Sequence, residues 1–104
     1  MDRIQKLLEF LKQSEGDSFL QHALALEYVK IGKDTEALHL FNNVIQNDPG
    51  YVGSYYQLGK LLEKMGQIEK ALEIYNAGMD EAKKAGDKHS YNELMGAKDE
   101  IEPI

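Results

Sequence analysis

The chain has 104 residues, room for one domain and one core. Its 18 acidic and 12 basic residues leave a net charge of −6, which argues against a general nucleic-acid binder. The absence of cysteine excludes disulfides, thiolate nucleophiles and sulfur-ligated zinc. With 42% apolar residues, two prolines and many Leu, Glu, Lys and Ala, the composition is that of a folded, helical protein.

Residues 2–14 place Ile4, Leu7, Leu8 and Leu11 on one helical face. Glu15-Gly16-Asp17 stops that helix. Ser18 and Gln21 have capping-box spacing, which predicts a second helix from residue 18 to about Ile31, with Gly32 as its turn. Asp34 is the expected N-cap of a third helix over 35–47, and Asp48-Pro49-Gly50 breaks the chain. The cycle then repeats. Helices are predicted over 52–65, ending at Gly66, and over 68–84, ending near Gly86. A last one spans 87–101, with Tyr91, Leu94, Met95 and Ile101 on one side and Pro103 as its stop. Short loops make neighbours antiparallel, and no sustained period-two pattern points to a strand. No run is apolar enough to span a membrane, and the start does not read as a signal peptide. A soluble, cytoplasmic protein that does not engage membranes is expected.

Residues 18–51 repeat as 52–85. Identities fall at Leu24/Leu58, Lys30/Lys64, Gly32/Gly66, Ala37/Ala71, Leu38/Leu72 and Asn42/Asn76, with like pairs at Ala25/Gly59, Tyr28/Leu62 and Phe41/Tyr75. Small residues let helix backbones approach, and large ones fill the space beside them. This 34-residue pattern resembles the tetratricopeptide repeat, a helix–turn–helix unit. The resemblance implies an all-α fold: a short right-handed α-solenoid of about six antiparallel helices. The chain divides into a flanking helix (1–17), repeat 1 (18–51), repeat 2 (52–85) and a C-terminal capping helix (86–104). Leu7 aligns with Phe41, so the first helix stands in as the second helix of an earlier repeat. Gln21, Lys83 and Glu93 depart from the family pattern, and beyond residue 86 the register is lost.

A search for chemistry finds nothing to assemble. His22, His39 and His89 lie on three different predicted helices, and there is no metal-ligand motif, phosphate-binding loop or nucleophile elbow. No enzyme activity, metal or cofactor is expected.

In the family, the first helix of each repeat lines a concave groove that takes partner peptides. Carried over, the resemblance nominates Phe19, His22, Leu26, Val29 and Lys30, then Gly53, Tyr56, Gln57, Lys60, Glu63 and Lys64. Phe19, His22, Leu26, Tyr56, Lys60 and Lys64 are the chosen peptide-binding residues. Phe19, Leu26 and Tyr56 are candidate apolar anchors, unless an end helix folds over the groove and buries them. The lysines suggest a peptide carrying a carboxylate. Some family members clamp the C-terminal carboxylate of chaperones with Lys, Asn and Arg. The matching positions here are His22, Leu26, Gln57, Asp87 and Tyr91, and none fits.

The expected function is therefore a non-catalytic protein-interaction module for a partner protein or peptide of unknown identity, as a monomer or weak homodimer. The alternative is an assembly protein that self-associates through an end helix, using the side with Tyr91, Leu94, Met95 and Ile101.

Overall fold

A computed structural model describes residues 2–102. They form six helices: α1 (Arg3–Gln13), α2 (Ser18–Lys30), α3 (Asp34–Asn47), α4 (Gly53–Lys64), α5 (Ile68–Ala85) and α6 (Lys88–Ile101), with no strand among the described residues. Each boundary lies within a residue of its predicted place. Pro103, the expected stop of α6, lies outside the described residues.

Two caps differ from expectation. The N-cap of α2 is Asp17, whose carboxylate accepts from the Leu20 amide at 2.9 Å, so Ser18 is already helical. The Gln21 side chain donates to the Glu15 carbonyl instead of closing a capping box. Asp34 is likewise the first residue of α3, not its cap. There its carboxylate complements the helix N-terminus and pairs with Lys64 at 3.4 Å. Gly32 and Gly66 take φ of 78° and 79°, the left-handed turn that their place between paired helices requires.

The helices alternate along a stack with an extent of 47 Å. α2 pairs with α3 and α4 with α5; α3 also packs on α4, and α5 on α6. Ala25, Ala37, Phe41, Leu58, Ala71 and Tyr75 have no exposed surface and form the continuous core. A Cβ at Gly59 would overlap the Tyr75 ring, and one at Gly78 would overlap Tyr55 and press on Leu94. Glycine at these points lets α4 and α5 come close and gives Leu94 of α6 its seat. Each large apolar side chain so enclosed contributes about 1.5–3 kcal/mol.

The two flanking helices dock differently. α6 lies on both α5 and α4, with Leu94 at 1% exposure and Ala97 at 3%. Tyr91 and Ile101 are half-buried. The apolar side expected to mediate self-association is thus mostly spent on the chain's own core; only Met95, at 39%, is exposed. α1 lies against α2 alone, where Leu7, Ala23 and Leu24 form a smaller cluster.

Candidate functional site

The first helices α2 and α4 carry the nominated residues, and α6 lies beside α4 in the same way that α4 lies beside α2. Phe19, in the first turn of α2, is 63% exposed, the most open of the large apolar side chains among the described residues. Leu26 and Val29 continue its stripe and are half-buried, resting on the core cluster. On α4, Tyr56 is half-buried in the same cluster. Neither end helix encloses Phe19.

His22 belongs to the packing between helices. Its Nδ1 shares a 2.7 Å hydrogen bond with Ser54 Oγ, a hydroxyl with no solvent exposure at the start of α4. The imidazole meets the Phe41 ring edge-on at 5.6 Å and lies 5.4 Å from Tyr51. Burial lowers its pKa below the ordinary 6.5. The ring therefore joins α2, α3 and α4 as a neutral, half-buried, hydrogen-bonded wedge.

The lysines are engaged as well. Lys60 lies 3.8 Å from Glu63 and 3.5 Å from Glu100 on α6, with its ammonium 5.7 Å from the centre of the Tyr56 ring. Burial works to lower its pKa, but Glu63, Tyr56 and Glu100 outweigh burial and raise it. Lys64 holds Asp34, and Lys30 holds Glu27 at 3.1 Å. The expected steering by free lysines loses its footing, because each cation already faces a carboxylate of its own chain. Sequence spacing places the lysines and their same-helix partners Glu27 and Glu63, but not Asp34 and Glu100, which come from other helices.

One functional-looking pair was not foreseen. The Tyr75 phenol, in a residue without exposed surface, donates to the Glu63 carboxylate. Burial first, then Glu63, pushes its pKa far above the ordinary 10. The chain Tyr75–Glu63–Lys60–Glu100 ties the core of the second repeat to α6. Its groups are paired, which suits support better than catalysis. No cluster of metal-ligating side chains occurs among the described residues, and no described helix is long and apolar enough to cross a membrane.

Stacked helical hairpins with open first helices define a repeat protein of the interaction type. A tetratricopeptide-repeat family model matches residues 32–96, more than half of the chain, and the chain belongs to this family. Among solved structures, a tetratricopeptide repeat domain protein from Salinibacter ruber is 38% identical, with a TM-score of 0.80 over 85% of this chain and 98% of that one. A Bordetella parapertussis protein is 23% identical, with a TM-score of 0.83 over 97% of this chain and 88% of its own. The TPR2B domain of yeast Sti1, solved in complex with pHsp70, is 19% identical, with a TM-score of 0.88 over 95% of this chain and 79% of that domain. The last two likenesses show the shared fold alone. No protein with a curated description matches.

Proposed function

We propose that the chain is a non-catalytic adaptor that binds a short peptide segment of a partner protein along α2 and α4. The observation that carries this reading is Phe19, 63% exposed on the stripe that leads to Leu26 and Val29. An aromatic ring held in water beside half-buried apolar neighbours is a favourable anchor for an apolar residue of a partner. Tyr56 and Gln57 continue that surface onto α4 with a phenol and an amide able to meet a peptide backbone. The paired lysines shift the expected ligand from an acidic peptide toward one with apolar or aromatic anchors. The yeast TPR2B domain, whose structure holds pHsp70, is a precedent for this fold engaging a partner. The chaperone-tail clamp is not carried over, since Asp87 serves instead as the N-cap of α6 through the Ser90 amide.

Panning a random peptide library against the purified chain tests the reading. Enriched peptides should lose binding to Phe19→Asp, with the melting temperature unchanged. Equal binding by this variant would place the site elsewhere.

A further inference from the structure

The joints that follow α3 and α5 are built differently. The two helices start in register, yet α5 runs to 18 residues against the 14 of α3. Lys83 stands where the first repeat has the helix-breaking Pro49, so residues 82–85 form an extra helical turn. After α3, five residues lead to α4, and the Tyr55 phenol donates to the Pro49 carbonyl at 2.8 Å, drawing that loop onto the helix. After α5, only Gly86 and Asp87 intervene. Gly86 takes φ of 69°; its amide donates to the Lys83 carbonyl at 3.1 Å, and the Asp87 amide to the Ala82 carbonyl at 2.9 Å. The corner is short and hydrogen-bonded throughout.

Beside it, the extra turn of α5 and the first turns of α6 border a cavity of about 310 Å³. Ala82, which has no exposed surface, and the half-buried Tyr91 ring make its interior apolar. Ligand pockets run from roughly 300 to 1,000 Å³, so this one stands at the lower limit and suits a single large side chain.

Charge narrows the occupant further. Lys83, Lys88 and Asp87 are the charged residues of the lining, which leaves one positive charge in excess on a chain of net −6. The Asp87 oxygens are turned to Ser90, one to its amide at 3.0 Å and the other to its hydroxyl at 2.7 Å. Lys30, Lys60 and Lys64 each face a carboxylate, and Lys84 holds Glu81 at 3.4 Å. Lys83 and Lys88 make no ion pair among the described residues, and both are exposed. We propose that this corner is a second docking site, which takes one leucine- or phenylalanine-sized side chain of a partner protein followed by aspartate or glutamate. The apolar side chain enters beside Ala82 and Tyr91, and the carboxylate meets the two ammonium groups at the rim. Because the corner is already hydrogen-bonded, little ordering is needed on binding. The site uses no residue of α2 or α4, so it stands or falls apart from the Phe19 surface.

Amide chemical shifts of the 104-residue chain, followed by NMR while a capped Ala-Ala-Phe-Glu-Ala peptide is added to millimolar concentration, test this. The amides of Gly86, Lys88, Tyr91 and Asn92 should shift and saturate. The same peptide with glutamine in place of glutamate should bind about fivefold more weakly, and with alanine in place of phenylalanine it should not saturate. The double variant Lys83→Gln/Lys88→Gln, at exposed positions, should keep its melting temperature and bind the glutamate and glutamine peptides alike. Unshifted corner amides would overturn the proposal, as would equal binding of the two peptides by wild type or an undiminished preference for glutamate in the double variant. Shifts confined to Phe19, Leu26 and Tyr56 would also overturn it, while leaving the α2–α4 surface in place.

Discussion

At the C-terminal end, α6 takes Leu94 and Ala97 to 1% and 3% exposure, while at the N-terminal end α1 encloses only Leu7, at 6%, and leaves Leu8 and Phe10 at 41% and 59%. The amphipathic patterns of the two helices do not foretell this. The difference arises from their neighbours. α6 rests on two helices, and Gly78 opens a seat for its central leucine. α1 rests on one helix, against Ala23 and Leu24. How firmly an end helix is held thus depends on the number of elements under it and on the small residues they present, more than on its own apolar count.

The sharpest way to break this comparison is to truncate both anchors. Leu94→Ala should cost about 3–5 kcal/mol, since the pocket between α5 and α4 cannot collapse. Leu7→Ala should cost about 1–2 kcal/mol, because a singly supported helix can settle into the space. Chemical denaturation of both variants reads the gap, and equal losses would contradict it. Next in size is Ala71→Leu. It forces a larger side chain into the fully buried contact between α4 and α5 and should cost about 1–3 kcal/mol by the same measurement.

Between the two ends, acid should loosen the joint that His22 makes from α2 to α4. Burial lowers the His22 pKa, so the unfolded chain takes up that proton before the folded one. The stability tied to this ring is complete above pH 6.5 and is lost as pH falls below it toward the folded value. The melting temperature of wild type should decline from about pH 7.5 to about pH 5.5 more than that of His22→Gln. Parallel curves would remove His22 as the cause. Smallest of all, Phe10→Ser should change stability by no more than about 0.5 kcal/mol in dilute solution, as for other exposed positions.

Helix number, order and limits were legible because heptad-like spacing and turn glycines are local signals, and both turn glycines do take the left-handed backbone. The family was legible because small and large residues recur at one spacing. Caps were less so: Asp17 and Ser18 are adjacent and both able to cap, and geometry alone chose Asp17. The site was legible only in outline. Phe19 is as open as its stripe suggested, but His22 turns inward to Ser54, and Lys60 is met by Glu100 from forty residues away. Such pairings depend on how α6 lies on the stack, which no local pattern encodes. Gly78 escaped notice for the same reason, since its value lies in the space that Tyr55 and Leu94 occupy.

The chain holds six tyrosines and no tryptophan, so its near-ultraviolet absorption is dominated by phenol. Three of those phenols, Tyr51, Tyr55 and above all Tyr75, keep their protons beyond the ordinary range, chiefly through burial. Raising the pH through about 10 therefore favours the unfolded chain, where phenolate forms freely. The phenolate band near the red edge of the spectrum should grow late for these rings and then rise together with the loss of helical signal. Base titration in a spectrophotometer thus reports, without any label, the moment at which the second repeat lets its tyrosine go.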